Sequence, residues 1–399
     1  MLSFKTMAAL MLMKGGKSLQ ISLNSLLPKL GRVQVTVDKS AYSRARRKFQ
    51  YTAFIELNER AVVNVMYGDG DYRTWNGHRI LAVDGSKVML PTNDETVEEF
   101  GTLSYHTPYG VGEHCYAVAS VLYDALNRVA VHALLEPAHS YEGDLAVKHL
   151  KHTKRKDLVI YDRGYCSYLM MAQTISSGSD FLIRCPGGRF RVAADMLTGK
   201  GPDDAMTTLS APPKLLADPK NAGLPKTLTV RFVRVTLDTG EYEVLVTSLT
   251  NQAVYVTADF KELYWLRWGI ETFYGILKTR LILENFSGYS PAAIRQDFFA
   301  TIFLTGIETL MTMDTEADLT KQRGGHPKKV NKAVSFSTIK EHAFELFYSR
   351  EPQEKILAEL AVLFTSSPTL IRKDRKPPRK NSTSQQILGF WKRTRKTVF

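Results

Sequence analysis

The sequence has few cysteines and no long apolar run. Its three cysteines, Cys115, Cys166 and Cys185, form no C-x-x-C pair, so neither a disulfide framework nor a zinc site is indicated, and this usage is typical of a reducing cytoplasm. No apolar segment reaches the ~18 residues that cross a bilayer, and the apolar run near the N-terminus is too short for a signal peptide. We therefore expect a soluble, cytoplasmic protein with three buried thiols and no membrane partner.

Acidic residues are scarce at the C-terminal end. Residues 372–399 contain ten lysines and arginines and one acid, Asp374, in a chain whose net charge is +13. A second basic cluster, in the segment SRARRKFQYTAF, consists of Arg44, Arg46, Arg47 and Lys48. Basic patches attract polyanions by releasing counterions, so DNA or RNA is the first candidate partner. A solvated tail and a charged helix face would give the same pattern.

Hydrophobic periodicity divides the chain into three regions. We predict short helices in residues 1–72, an α/β domain in 73–312, and a helical region with the basic tail in 313–399. In the central region, β-rich runs such as HRILAVDG and DLVIYDRG alternate with helical segments, and a β-rich insertion is predicted at about 187–250. This pattern indicates a mixed sheet flanked by helices.

Two aspartates follow apolar runs that have the character of buried strands. Asp84 comes after residues 80–83 and before Gly85, and Asp162 comes after residues 158–161. Acids at the carboxyl ends of interior strands are held rigidly where α/β sheets bind ligands. The alternative is local: Asp84 begins a turn, and Asp162 caps the next helix.

The segment YWLRWGIETFYGILK is predicted to be one helix with a polar and an apolar face. At about 100° per residue, four polar side chains leave the helix within an arc of about 60°; they are Tyr264, Arg267, Glu271 and Lys278. The opposite stripe is apolar and consists of Leu266, Ile270, Phe273 and Leu277. A row of surface ion pairs would explain Glu271 with its basic neighbours, but not the tyrosine.

The two aspartates and Glu271 together suggest metal chemistry. Three carboxylates would form an all-oxygen site suited to Mg²⁺, with Mn²⁺ as a substitute. Two ions about 3.5–4 Å apart would activate a water or hydroxyl and stabilise the leaving oxygen of a phosphodiester. Arg267 and Lys278 would contact the flanking phosphates, and Tyr264 would donate a hydrogen bond or stack on a nucleotide.

The polar residues of this helix follow the pattern Y-(2)-R-(3)-E-(6)-K without a gap. In this pattern, and in the segments VDGSKVMLPTNDETVEEFG and VIYDRGY, the chain resembles the DDE transposases of bacterial insertion sequences, in insertion sequence family four. The resemblance covers roughly residues 77–290. It implies an RNase H-like catalytic core in which Asp84, Asp162 and Glu271 bind two divalent ions.

The resemblance also implies a reaction and its partners. Such a protein nicks DNA at the terminal inverted repeats of its own element and joins the freed 3′ hydroxyl to target DNA, with Tyr264, Arg267 and Lys278 contacting DNA near the cut. Pairing of two element ends leads us to expect a homodimer. Relatives hold a flipped base with a tryptophan in the β-insertion, but residues 187–250 contain none. Trp265 and Trp268 lie in the signature helix instead, and neither is equated with the missing residue; Trp268, near the polar face, is expected to contact DNA.

Three interpretations of the function remain open from the sequence. The main one is a metal-dependent strand transferase, the second an RNase H-like nuclease that joins nothing, and the third a catalytically inactive DNA-binding derivative. Residues 30–72, with the cluster from Arg44 to Lys48, are the first candidate for recognising element ends, and the tail from Arg372 is the second. His149 and His152 are interpreted as part of a solvated or DNA-facing helix rather than as metal ligands.

Overall fold

The structure, a computed structural model, describes residues 2–15, 19–29, 37–107, 110–321, 326–349 and 351–371. The basic tail from Arg372 lies outside the described residues, as does part of the segment 30–72. The N-terminal region is helical, as predicted. Its elements are α1 (Phe4–Leu12), α2 (Leu19–Lys29), α3 (Lys39–Arg47), α4 (Thr52–Asn58), a π-helical turn (Glu59–Val63) and α5 (Asn64–Gly68).

A large mixed sheet dominates the central region. Its nine strands are β1 (Arg79–Met89), β2 (Thr102–Thr107), β3 (Gly110–Asp124), β4 (Val129–Pro137), β5 (Asp157–Tyr161), β6 (Asp180–Arg184), β7 (Asp204–Ser210), β8 (Thr227–Thr236) and β9 (Tyr242–Thr247). Their order is β2-β3-β1-β5-β6-β9-β8-β7, and β4 pairs with β3. Strands β1, β5 and β6 are parallel, whereas β7, β8 and β9 continue the sheet in antiparallel fashion from β6.

Helices flank this sheet and form the rest of the described chain. They are α6 (Asp94–Phe100), α7 (Glu142–His149), α8 (Tyr168–Ser176), α9 (Arg191–Leu197), α10 (Pro213–Leu216), α11 (Phe260–Trp265), α12 (Trp268–Gly275), α13 (Pro291–Lys321), α14 (Lys332–Tyr348) and α15 (Gln353–Ser366). Short 3₁₀ turns lie at Leu150–His152, Arg163–Tyr165, Pro219–Asn221 and Thr257–Asp259, a π-helical segment at Ile276–Arg280, and a small ribbon pairs β10 (Lys328–Lys329) with β11 (Thr369–Leu370).

This architecture confirms the predicted fold class, an α/β fold with a mixed sheet flanked by helices, consistent with an RNase H-like core. The predicted β-rich insertion supplies β7, β8 and β9, which extend the main sheet beyond β6. Helices before and after the sheet match the predicted helical ends of the chain. Within the described residues, no helix is long and apolar enough to cross a membrane.

Both faces of the sheet carry a buried apolar cluster, as expected for interior parallel strands. Alternate residues of β1 and β5 serve opposite faces. Leu81 and Val159 belong to one cluster, which includes residues of α8. Ile80 and Ile160 belong to the other, together with Phe260, Leu263 and Tyr264 of α11. Alternation along β1 and β5 therefore decides which residues face α11.

The chain forms two compact units. The first comprises Met1–Asp69, Lys87–Ala117 and Gly275–Phe399, and the second comprises Gly70–Ser86 and Val118–Tyr274. The second unit contains both apolar clusters of the sheet. It also contains the three predicted catalytic acids.

Candidate active site

Strand pairing brings the two aspartates together in the second unit. The parallel register joins Ala82 of β1 to Ile160 of β5, and two residues further along this register Asp84 lies opposite Asp162. Because side chains alternate along a strand, both acids point to the face that α11 covers. The prediction that Asp84 ends its strand is wrong, since β1 continues to Met89; Asp162 does follow the end of β5, as predicted.

The Asp84 carboxyl has a strongly perturbed environment. Burial raises its pKa, the Gly85 N–H donates to Oδ1 at 2.9 Å and lowers it, and the charge of Asp162 raises it again. Smaller effects come from Arg267, which lowers the pKa, and Glu142, which raises it. The balance raises the pKa of Asp84 to about 7. A buried carboxyl with acidic neighbours is a mark of functional sites.

Asp162 plays the local role foreseen as the alternative to a metal ligand. It caps the 3₁₀ turn after β5, and its Oδ1 accepts a hydrogen bond from the Gly164 N–H at 2.7 Å. This bond orients the carboxylate without using all of its acceptor capacity, since an ionised carboxylate offers about four lone-pair positions. Capping and metal binding are therefore compatible at this residue.

The segment 264–278 is not the single straight helix that its periodicity predicts. Helix α11 ends at Trp265, and α12 begins at Trp268. At the junction, the backbone N–H of Arg267 donates to the carbonyl oxygen of Tyr264 at 3.1 Å. This is a 3₁₀-type hydrogen bond between residues three apart, in place of an α-helical one. A π-helical segment follows from Ile276. These changes rotate the side chains away from the positions that a uniform 100° step predicts.

The four residues of the pattern consequently do not share one exposed face. The predicted apolar stripe is buried or half-buried, as expected. Tyr264 and Arg267 are also buried, each 7% exposed, whereas the Glu271 side chain is 41% exposed. Lys278 belongs to the first unit, where it is buried and its Nζ donates to the carbonyl of Lys87 at 2.6 Å; burial lowers the pKa of this ammonium.

Arg267 and Glu271 form the ion pair that the simpler interpretation of the helix foresaw. Nη2 of Arg267 donates to Oε1 of Glu271 at 2.7 Å. The guanidinium also lies 4.8 Å from the ring centroid of Trp268, a cation–π arrangement. Its Nε is buried and has no hydrogen-bond partner. The pair thus leaves one strong donor of Arg267 unused inside the protein.

Helix α12 is tied to the strands through Tyr274. The hydroxyl of Tyr274 lies 2.9 Å from the carbonyl oxygen of Asp84 and 3.0 Å from that of Ala119. These contacts position the helix that carries Glu271 against the strand that carries Asp84. The periodicity of the sequence did not predict this role, because Tyr274 has the position of an ordinary aromatic residue in a helix.

Two further residues at the aspartates escaped sequence reasoning. Tyr165 is only 5% exposed, and its hydroxyl has no hydrogen-bond partner. Glu142, the first residue of α7, places its carboxylate against Gly85. The D-R-G-Y segment gave a signal for Tyr165, whereas Glu142, about 60 residues from Asp84 in sequence, gave none.

The donor chemistry of Asp84 and Asp162 fits a hard divalent cation. Two carboxylates at neighbouring positions of the β1–β5 register repel, and a cation relieves that repulsion through oxygen ligands. Among the residues that the structure describes, however, no three histidine, cysteine, aspartate or glutamate side chains are grouped so that they could hold a metal ion. Glu271, paired with Arg267, is the predicted acid whose observed partner is a cation of the protein itself.

The N-terminal basic cluster needs one correction, at Arg46. Its guanidinium is buried in the first unit and donates to Gln296, Ser287, Ala293 and Asp297 at 2.7–3.0 Å. Arg46 is therefore not part of an exposed cationic face, because its donors are used internally, and its contact with DNA stays a prediction. Arg44, Arg47 and Lys48 are exposed.

The interpretation of His149 as a solvent-facing residue is also wrong. His149 is fully buried, its Nε2 lies 3.0 Å from Ser120 Oγ, and its Nδ1 lies 2.8 Å from Nδ1 of His132. The ring of His152 stacks on His132 with centroids 3.8 Å apart. Burial lowers the pKa of His132 to about 3 and that of His149 well below its ordinary value, so these two rings are neutral at ordinary pH.

A family model and a solved structure match this chain. The chain matches the family model described as Transposase DDE domain over residues 75–305. No curated protein matches. Among solved structures, a piggyBac transposase synaptic complex with hairpin DNA matches with a TM-score of 0.45 and 9% identity, over 96% of this chain and 78% of that one. Since the matched residues 75–305 make up more than half of the 399-residue chain, the protein belongs to the DDE transposase family.

Proposed function

We propose that the protein cuts DNA at the ends of an insertion sequence of family four and transfers the freed 3′ ends into target DNA. The observation that carries the proposal is the register of β1 and β5, which sets Asp84 opposite Asp162 within the matched domain. Phosphodiester chemistry of this class requires acids held rigidly at one place. The Y-(2)-R-(3)-E-(6)-K pattern supports the assignment to family four.

In this proposal Asp84, Asp162 and Glu271 hold two divalent ions, Mg²⁺ or its substitute Mn²⁺. When bound, such ions activate the attacking oxygen and stabilise the leaving one. The register of β1 and β5, which sets Asp84 opposite Asp162, supports this role for the two aspartates. Glu271 has to exchange the guanidinium of Arg267 for the cation, and its exposed carboxylate, on a helix anchored by Tyr274, has room to do so.

The residues proposed to contact DNA differ in whether their side chains are accessible in this structure. Arg267 has an unused buried Nε and stands beside the exposed Trp268, so a phosphate could pair with the arginine while a base stacks on the indole. Tyr264 and Lys278 are buried, and contact with DNA through them requires a local rearrangement of the helical segments.

Recognition of the terminal inverted repeats is assigned to exposed basic residues. Arg44, Arg47 and Lys48 lie on or just after α3 and are free of the internal network that holds Arg46. The tail from Arg372 is the second candidate on charge alone. A homodimer bound to two element ends would explain how paired cuts are coordinated.

One experiment separates strand transfer from its alternatives. Purified protein is incubated with labelled element-end DNA, a target plasmid and Mg²⁺. Joined product supports the transposase, nicking without joining supports an RNase H-like nuclease, and a shifted but intact probe supports a catalytically inactive DNA-binding derivative.

A further inference from the structure

Gly85, next to Asp84, makes room for a fourth carboxylate. A side chain at this position would begin 2.8 Å from both Cδ and Oε1 of Glu142, which is closer than non-bonded atoms approach. The carboxylate of Glu142 therefore occupies the space that the missing side chain leaves. Glu142 is also close enough to Asp84 for the two carboxylates to interact electrostatically. The bare glycine lets an acid from α7 approach the strand acids from the other side of β1.

A buried hydroxyl lies among the same acids. Tyr165 is 5% exposed, and its hydroxyl has no hydrogen-bond partner. Burial raises the pKa of this hydroxyl, and the charges of Glu142, Asp84 and Asp162 raise it further, with Glu142 the strongest of the three. The hydroxyl thus stays protonated and can donate. A buried donor without an acceptor costs about 1–3 kcal/mol, a cost that a functional role would explain.

Helix capping does not account for the position of Glu142. An acid in the first turn stabilises a helix through the macrodipole wherever its carboxylate points. Asp144 lies in the same first turn and both acids are exposed, so α7 has a second acid for that purpose. What distinguishes Glu142 is its contact with Gly85 and its effect on Asp84 and Tyr165.

We propose that Glu142 is a further carboxylate of the divalent-cation site, reaching Asp84 past the bare Gly85, and that the Tyr165 hydroxyl is a positioning donor for the carboxylates of that site. The inference rests on the proposed function, because it assigns both residues to the same cation site. Hard cations take six or more oxygen ligands from carboxylates and water, so a fourth carboxylate fits their demand.

The test measures Mn²⁺ binding to the full chain without DNA, using electron paramagnetic resonance to quantify unbound Mn²⁺. Glu142→Gln keeps the shape of the side chain and removes its charge; we expect Mn²⁺ affinity to fall about tenfold or more. Asp144→Asn is the matched control, since it removes one exposed charge from the same helical turn. Its affinity should stay within about twofold of wild type, as expected for a screened surface charge.

A second variant reaches the same carboxylate from the strand. Gly85→Ala places a methyl group against Glu142 and pushes the carboxylate away, so it should weaken Mn²⁺ binding in the wild-type background and have little further effect in Glu142→Gln. Tyr165→Phe removes an unpartnered hydroxyl. A merely structural role predicts unchanged Mn²⁺ affinity, whereas a positioning role predicts a loss of several-fold together with unchanged or higher thermal stability.

The outcomes separate this inference from the proposed function. Mn²⁺ binding that disappears in Asp162→Asn but is unchanged in Glu142→Gln and Gly85→Ala would overturn the role of Glu142 and leave the proposed metal site intact. A wild-type protein that binds no Mn²⁺ would overturn both. Loss of affinity in Glu142→Gln and Gly85→Ala, with Asp144→Asn unaffected, would support both.

Discussion

Two aspartates, the buried Asp297 in one unit and the half-buried Asp84 in the other, have very different electrostatic surroundings. Asp297 in α13 is matched by cations and donors: Arg46 at 2.7 Å, Lys14 at 3.6 Å, and the N–H and hydroxyl of Ser287 at 2.6–2.9 Å. Burial would raise the pKa of Asp297, but Lys14, Arg46 and Ser287 together hold it below its ordinary value. Its charge is fully compensated.

Asp84 has the opposite surroundings. Its charged neighbours include the acids Asp162 and Glu142, with Arg267 as the cation, and its pKa is raised to about 7. Nearby, the hydroxyl of Tyr165 and the Nε of Arg267 have no hydrogen-bond acceptor. A satisfied polar network stabilises a fold, whereas an unsatisfied one marks a place that binds something. The contrast separates a structural cluster from a candidate active site without any alignment.

The largest expected effect is on DNA cleavage. Asp84→Ala, Asp162→Ala or Glu271→Ala should reduce Mg²⁺-dependent cleavage by roughly 10⁴-fold, since metal ions supply several kcal/mol and each 1.36 kcal/mol is tenfold. Binding to element-end DNA, measured by gel shift, should stay near wild type. Glu262→Ala, which removes an exposed acid from α11, is the control. Retained cleavage in any of the three variants would remove that residue from the site.

The next largest effect is on the free energy of unfolding, through the ion pair between Arg46 and Asp297. Arg46→Leu leaves Asp297 buried without its closest cation, so we expect a loss of about 3–5 kcal/mol in the free energy of unfolding. Arg44 lies two positions earlier in α3 and is exposed. Arg44→Leu should therefore change the free energy of unfolding by less than about 0.5 kcal/mol. Urea unfolding followed by circular dichroism measures both. Equal stability of the two variants would contradict the structural role of Arg46.

Removing the charge of Asp84 should stabilise the protein rather than destabilise it. Asp84→Asn keeps the acceptor for the Gly85 N–H and removes like-charge repulsion, so in the presence of a chelator we expect stabilisation by on the order of 1–2 kcal/mol at pH 8. Because the folded pKa of Asp84 is about 7 against an ordinary 3.8, wild-type stability falls as pH rises through this window. The advantage of the variant should therefore grow from about pH 4 to pH 7 and then level off. An advantage independent of pH would contradict the raised pKa.

The smallest effect concerns the exposed basic residues. Arg44→Ala, Arg47→Ala and Lys48→Ala should each weaken binding of element-end DNA and lower the slope of log affinity against log salt by about one unit. The three substitutions change no buried contact, so thermal stability should stay constant. Lys5→Ala, an exposed cation on α1, serves as the comparison. An unchanged slope in all three would move end recognition elsewhere.

The sequence predicted the fold better than it predicted side-chain exposure. Strands such as β5 and helices such as α13 follow from local periodicity, which a sequence displays directly. The burial of Arg46 does not, because its partners Ser287, Gln296 and Asp297 come about 250 residues later. The break at Leu266 and Arg267 is likewise not visible in the sequence, because neither residue is a glycine or a proline.

For the candidate site, the sequence selected Asp84 and Asp162 but assigned the first to a strand end. The run of apolar residues stops at Val83, yet β1 continues because backbone pairing, not hydrophobicity, decides where a strand ends. Glu142 could not be found at all, since the space over Gly85 becomes visible only when α7 is placed beside β1.

The contacts of Tyr274 have a consequence for how this protein tolerates sequence drift. Its hydroxyl meets the main-chain oxygens of Asp84 and Ala119, and every amino acid carries such an oxygen. The join between helix and strands is therefore indifferent to which residues stand at those two positions. Side chains along the strands could therefore be substituted, and the chemistry at the sheet altered, while the helix keeps its position, provided that Tyr274 is retained.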